Sequence, residues 1–438
     1  MKTHDLLAIG LMTFALFLGA GNLIFPPSLG LEAGTNLLPA MVGFLITAVG
    51  LPALTLVVLG RLSSTQNLTN PLPKWLARAF WILLFTAIGP AFGMPRAITV
   101  AYEIGIKPFV NSDHLLLFSI IFSAVTLLLA FKPGHLVDYI GKVMTPMLIL
   151  MLVALACAAI FSPLAVPQSP SFDYQQDAIT HGLIQGYMTM DAIAAVGFGW
   201  VIIQAINAKG ITEPRAVANT ACKVAIIYAV LMTGCYVAMG YVGATSASVA
   251  ANATNGGEIL AKYVAGQFGI YGQWLLATII VMACLTTTVG LTNACAEYYK
   301  QTFKTRFPVT AIIVVTLTGI IANLGLEQIL AVSLPAILVL CPIAIALVLS
   351  SFVLPSLTLS NKKEKSFTHV IVLFTALFFG GIDALNILEK MPNNMHSLLL
   401  QVLPLYNAHA SWLLPCLLIL GVSYLKTIKK PLPVNMIN

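Results

Sequence analysis

The sequence predicts an all-α polytopic membrane protein with twelve transmembrane helices, five plus five in an inverted repeat with helices 1 and 6 broken, plus two C-terminal helices. Three observations predict it. The first is composition: 59% of the 438 residues are hydrophobic and 8% charged, with a mean hydropathy of +0.93, whereas soluble domains carry about 25% charged residues. The second is spacing. Apolar runs of roughly membrane-crossing length lie at 6 to 29, 39 to 60, 79 to 104, 115 to 131, 141 to 162, 182 to 206, 222 to 243, 274 to 298, 308 to 324, 328 to 353, 368 to 388 and 410 to 425. The third is punctuation, because glycine and proline interrupt two of these spans in corresponding places. No loop is long enough for a separate domain. Residues 1–438 therefore read as one transmembrane domain, with the first repeat over about 6–162, the second over about 182–353, and helices 11 and 12 over about 368–425.

The first span begins at Leu6 and runs through Leu18-Gly19-Ala20-Gly21-Asn22-Leu23-Ile24-Phe25-Pro26-Pro27. A lysine before an apolar run also fits a cleaved signal peptide, but the apolar stretch continues past Gly21 to Pro27. Broken backbone at membrane depth survives only where protein or a polar cavity satisfies it. Carbonyls ending the first half-helix can meet a cation, and N–H groups opening the second can meet an anion such as a carboxylate. The competing reading is close glycine packing with a proline kink.

The net charge of +7 is a topology signal and points to no nucleic acid. With the N-terminus in the cytoplasm, all basic residues except Arg96, Lys107, Lys262 and Lys390 fall on the inner side. This is the positive-inside pattern, and it puts both termini in the cytoplasm.

The second span, with Gly43, Gly50 and Pro52, reads as packing. The third contains Gly89-Pro90, Gly93 and Pro95, followed by Arg96 and, two turns on along the same face, Glu103. An ionisable residue inside a span is a candidate for function; the alternative is that Arg96 and Glu103 pair with each other or snorkel outward. Lys132-Pro133-Gly134-His135 reads as a short cytoplasmic turn between the fourth and fifth spans.

The sixth span runs from Gly186-Tyr187-Met188-Thr189-Met190-Asp191 to Gly197-Phe198-Gly199-Trp200. Its glycines at 197 and 199 predict a second break, with the Asp191 carboxylate about one and a half turns earlier. The first span starts inside and the sixth starts outside, so the breaks match across two inverted units, the pattern that marks a midplane site. Asp191 is open to three roles: an anchor for the substrate ammonium or the cation, a proton-coupling group, or a structural partner of Arg96 or of nearby backbone amides.

The eighth span contributes Thr286-Thr287-Thr288, with Gly290 and Thr292 beyond. Hydroxyl oxygens suit an alkali cation, though membrane threonines also bond back to their own helix. The tenth span, with Pro335 and Pro342, and the eleventh, with Gly380, Gly381 and Asp383, read as kinks or packing. Cys157, Cys222, Cys235, Cys284, Cys295, Cys341 and Cys416 all sit in or beside spans without CxxC spacing, so they read as packing residues.

Phe14-Ala15-Leu16-Phe17 through Phe25-Pro26-Pro27, Gly186 to Asp191, and Gly290-Leu291-Thr292-Asn293-Ala294-Cys295-Ala296-Glu297 together resemble the branched-chain amino acid:cation symporter family, the carriers of transport system II. That family belongs to the amino acid, polyamine and organocation superfamily. The resemblance spans essentially the whole chain. It implies uptake of leucine, isoleucine and valine across the bacterial inner membrane, driven by a sodium or proton gradient, on a leucine-transporter-like fold. More distantly, Gly19-Ala20-Gly21-Asn22 and Gly197-Phe198-Gly199 are similar to the unwound segments of the bacterial leucine transporter. That similarity implies that the N–H groups of Ala20 and Gly21 hold the substrate carboxylate, that Asn22 lies near cation or substrate, and that Phe198 covers the side chain. It also implies a sodium site from the Ala15 and Leu18 carbonyls with Thr287 and a neighbouring threonine. The sequence departs from that transporter in having Phe25 at its outer-gate arginine and Ala192 and Ala195 in the sixth span.

The expectation is a secondary transporter, not an enzyme, whose partners are the three amino acids, a coupling Na+ or H+ and membrane lipid, with no other cofactor and no obligate protein partner. A channel would need a continuous polar stripe, and an enzyme a nucleophile and base or a metal set. The alternative within transporters is a carrier of another small amino acid or solute.

Overall fold

The computed structural model describes residues 3–62, 65–110, 112–131, 145–253, 255–354 and 362–428, and within them it is helical without a strand. The chain opens with α1 (Thr3–Phe17) and α2 (Ala20–Ala33), two halves of one apolar span. A π-turn at Ile46–Gly50 joins α3 (Leu37–Leu45) to α4 (Leu51–Leu62), and another at Ala87–Ala91 joins α5 (Lys74–Thr86) to α6 (Gly93–Gly105). Next come α7 (Leu115–Ala130), α8 (Thr145–Phe161), α9 (Phe172–Tyr187), α10 (Asp191–Ala208), α11 (Pro214–Ala244) and the short α12 (Ala247–Ala250). The long α13 (Gly256–Phe303) bends at Gly269, whose φ of 57° only glycine adopts freely. The chain closes with α14 (Phe307–Ala322), α15 (Leu326–Val353), α16 (Lys362–Ile387), α17 (Asn393–Val402) and α18 (Leu413–Ile428).

Seven described helical stretches are long and apolar enough to cross a membrane: Gly21–Leu62, Lys74–Phe109, Asp191–Ala208, Pro214–Ala244, Gly256–Phe303, Leu326–Val353 and Glu364–Ile387. Shorter apolar helices lie at Thr3–Phe17, Leu115–Ala130, Leu152–Phe161, Phe307–Ala322 and Leu413–Leu425. The long α13 is interrupted by the non-helical Gly269 (ψ −142°), and the predicted run 274 to 298 lies in the segment after that kink. The turn at Lys132-Pro133-Gly134-His135, the start of the fifth span at 141–144, and the basic pair Lys429 and Lys430 lie outside the described residues.

By internal contacts the chain forms two compact units. One comprises Met1–Ser63 and Ile82–Ser333, the other Ser64–Trp81 and Leu334–Asn438. In the first unit, small residues bring helix backbones together where no apolar driving force separates lipid from side chain. A Cβ on Gly30 would lie 1.9 Å from the Gly240 carbonyl oxygen, and one on Gly243 would lie 2.1 Å from that of Pro27, so α2 and α11 touch backbone to backbone. The same holds for α3 and α9: a Cβ on Gly43 would lie 2.1 Å from the Ile179 oxygen, and one on Gly182 would lie 1.9 Å from that of Ala40. Gly186 belongs to this seam too, 2.4 Å from the Phe44 oxygen by the same measure. In the second unit, the buried Asp383 carboxylate accepts from the Ser411 hydroxyl at 2.6 Å and its N–H at 3.2 Å, pinning α16 to the segment before α18.

Candidate functional site: a cavity between two broken helices

α1 ends at Phe17. The Leu18 N–H still reaches the Phe14 carbonyl at 2.9 Å, Gly19 N–H turns to Phe17 at 2.6 Å, and Gly19 then takes extended angles (φ −103°, ψ −167°) before α2 starts. The first N–H groups of α2, from Ala20 and Gly21, have no carbonyl one turn earlier within the helix to accept them. The break itself is held by Asn22. Its side-chain amide donates to the Phe17 carbonyl and, at 3.1 Å, to Asp191 Oδ1.

The second break falls earlier than the glycines at 197 and 199 predicted. α9 ends at Tyr187, Met190 takes a left-handed φ of 70°, and Asp191 is the first residue of α10. Gly197, Phe198 and Gly199 are buried inside a continuous α10. The physical reason is packing: a Cβ on Gly197 would lie 2.4 Å from Ile88 Cδ1, so this glycine admits a neighbour and does not interrupt the helix. The Thr189 hydroxyl holds the true break, donating to the Gly186 carbonyl at 2.8 Å and accepting from the Asp191 N–H at 3.3 Å.

The two breaks meet around a cavity of about 60 Å³, several times the space one water needs. Phe17, Gly19, Gly21 and Asn22 line it from the first break, and Thr189, Met190, Asp191, Ala194 and Phe198 from the second. Gly93, Arg96 and Ala97 of α6 and Thr287 and Leu291 of α13 complete it, with Ile88. Phe17 and Phe198 meet edge to face, their ring centroids 5.1 Å apart, and form an apolar wall.

Two opposite charges face this space. Asp191 is 4% exposed; its Oδ1 accepts from Asn22 and its Oδ2 from the Tyr236 hydroxyl of α11 at 2.6 Å. Arg96 is 3% exposed, and its Nε, Nη1 and Nη2 have no hydrogen-bond partner among the described residues. Its guanidinium carbon lies 5.1 Å from the centroid of the Phe25 ring, a cation–π contact. The alternative pairing of Arg96 with Glu103 is not formed. Glu103 sits near the C-terminal end of α6 and pairs with Lys107 one turn on, at 2.7 Å.

The threonines of α13 divide. The Thr286 hydroxyl lies 2.9 Å from the Ala15 carbonyl and 2.8 Å from that of Ala283 in its own helix, and the Thr287 hydroxyl donates to the Leu16 carbonyl at 2.9 Å; Ala15 and Leu16 are both at the end of α1. A Cβ on Gly19 would lie 3.1 Å from Thr287 Oγ1, so this hydroxyl also faces the break. Thr288 points elsewhere, bonding back to Cys284 and Leu285 with Thr126 of α7 at 3.5 Å. Leu18 is buried beside the same break. Tyr236 and Thr189 were not singled out from the sequence. A lone tyrosine in an apolar span carries no pattern, whereas Thr189 sat inside a motif read for its glycine and its carboxylate.

A model of the family described as branched-chain amino acid transport protein matches residues 2–430. The branched-chain amino acid transport system 2 carrier protein of Pseudomonas aeruginosa is 40% identical over 420 residues, covering 95% of this chain and 94% of that protein. The branched-chain amino acid permease BrnQ of Haemophilus influenzae is 38% identical over 429 residues, covering 96% of each. Among solved structures, the fold is similar to that of Mhp1, a nucleobase-cation-symport-1 family transporter, in a closed conformation with bromovinylhydantoin bound. The TM-score is 0.62 at 13% identity, covering 97% of this chain and 92% of that one. The chain therefore belongs to the branched-chain amino acid transport protein family, and it is a multi-span membrane transporter, not an enzyme.

Proposed function

We propose that this chain imports leucine, isoleucine and valine across the bacterial inner membrane by symport with a cation. The observation that carries the reading is the meeting of two helix breaks in one cavity with an apolar wall and a carboxylate. A zwitterion with an aliphatic side chain needs these three things. N–H groups of Ala20 and Gly21 at the start of α2 attract its carboxylate, Asp191 attracts its ammonium, and Phe17 and Phe198 cover the side chain. Gly19 and Asn22 shape the first break, while Gly197 acts through packing of α10 against Ile88 and Gly199 is buried in the same helix.

The coupling cation, Na+ or H+, is assigned to the end of α1. For Na+, the hard oxygen donors are the Ala15 and Leu18 carbonyls with the Thr286 and Thr287 hydroxyls; Thr286 reaches the Ala15 carbonyl and Thr287 the neighbouring Leu16 carbonyl, which supports the assignment. Thr288, turned toward α7, is left out. The twelve spans are α1/α2, α3/α4, α5/α6, α7, α8, α9/α10, α11, α13, α14, α15, α16 and α18. The first ten form the inverted repeat, and the basic-residue pattern keeps both termini in the cytoplasm.

Competition in proteoliposomes tests the substrate class. Isoleucine and valine should each abolish labelled-leucine counterflow through one saturable site, and lysine should not, because its side-chain ammonium would be buried against the apolar wall of Phe17 and Phe198 without a partner. Efficient lysine transport indifferent to leucine would refute the reading.

A further inference from the structure

We infer that the Arg96 guanidinium takes the substrate α-carboxylate, so that the site recognises a zwitterion with a fixed charge of each sign. The inference rests on reading the cavity as the amino-acid site, and it assigns a ligand group to a side chain that the helix ends alone do not require. Three observations carry it. All three guanidinium nitrogens are buried without a hydrogen-bond partner among the described residues, although Arg96 lines the cavity. A buried charge of this kind is strongly disfavoured unless something pairs with it. Its position is also fixed relative to the first break, since a Cβ built on Gly21 would lie 2.4 Å from Arg96 Nη2. The guanidinium therefore rests against the backbone from which the N–H groups of α2 emerge, and an anion meeting those groups meets Arg96 as well.

The third observation is charge separation. Arg96 and Asp191 share the cavity, yet no ion pair joins them, and Asp191 is engaged instead by Asn22 and Tyr236. Two opposite charges kept apart in one small space match a ligand that itself carries two separated opposite charges. The planar guanidinium can donate two parallel hydrogen bonds to a carboxylate, which a point charge such as lysine cannot reproduce. The Phe25 ring contacts the guanidinium by a cation–π interaction, which consumes no donor.

The test compares leucine with leucinamide, which keeps the ammonium and side chain but lacks the anionic carboxylate. Ligand-induced thermal stabilisation of the purified full-length chain reads each affinity directly. The unmutated protein should prefer leucine by about 100-fold or more, as expected when one partner of a buried charge pair is lost. Arg96→Gln should weaken leucine by a similar factor while leaving leucinamide within about threefold, so the preference collapses. Arg96→Lys should restore part of it. Equal weakening of both ligands in Arg96→Gln would assign Arg96 to architecture and overturn the inference. Should the variants fail to fold, phenylglyoxal on the unmutated chain decides: leucine should slow adduct formation at Arg96, read by mass spectrometry, and leucinamide should not. Equal slowing by both, or by neither, overturns the inference. An unmutated chain that binds no leucine at all would instead sink the functional reading, which is a distinguishable result.

Discussion

The side-chain amide of Asn22 donates to Asp191 Oδ1 at 3.1 Å and so ties the second half of one broken helix to the second half of the other. With the Tyr236 hydroxyl at 2.6 Å from Oδ2, the carboxylate is oriented at the cavity wall by two donors and keeps lone pairs for a third. An ammonium ligand would supply that third donor. Asp191→Asn is therefore expected to weaken leucine binding about 10- to 100-fold, the range for a hydrogen bond to a charged group. It should leave 4-methylpentanoate, which has no ammonium, unchanged. Parallel loss of both ligands would make Asp191 a structural residue only.

Tyr236→Phe removes one of the two orienting donors and little volume. Leucine affinity should fall about tenfold with the amount of folded protein unchanged. Binding equal to that of the unmutated chain would remove Tyr236 from the site.

Gly21 approaches Arg96 Nη2 and the Thr189 carbonyl so closely that a Cβ would lie 2.4 and 3.2 Å away. A branched side chain there would push the guanidinium aside and fill the break. For Gly21→Val, leucine uptake should drop at least about 100-fold while the protein still reaches the membrane. Normal uptake would return this glycine to a packing role.

Thr287 and Thr288 are neighbours in sequence that face different helices, so the proposed cation site predicts different outcomes for the two. Thr287→Val should raise the cation concentration for half-maximal uptake several-fold, with leucine affinity at saturating cation changing less, because the substrate feels the ion only through linkage. Thr288→Val should leave the cation dependence alone. The opposite ranking would move the ion away from the end of α1.

The first break was legible in the sequence because two glycines and an asparagine interrupt an apolar run that cannot otherwise leave backbone groups unpaired. The second was misplaced by about two turns because glycine content was read as a break. Gly197 instead admits Ile88, while the break falls where the Thr189 hydroxyl holds the backbone and Met190 adopts a left-handed conformation. Local hydrogen bonds of the Thr189 side chain hold that position, and no preference of Met190 announces it. Arg96 was legible as an intramembrane charge, but helical periodicity offered Glu103 as its partner. Glu103 is close enough to the helix end to pair with Lys107 one turn away, and this leaves the guanidinium free to face the cavity. The threonine run was recognised, but only side-chain directions separate Thr286 and Thr287 from Thr288.

Uptake of labelled leucine into proteoliposomes containing only this chain, under an inward sodium gradient, an inward proton gradient, or neither, tests the central claim most directly. Cation-coupled transport predicts accumulation above equilibrium under at least one gradient, collapsing when that gradient is dissipated and blocked by isoleucine and valine. Leucine that merely equilibrates under every gradient would contradict it.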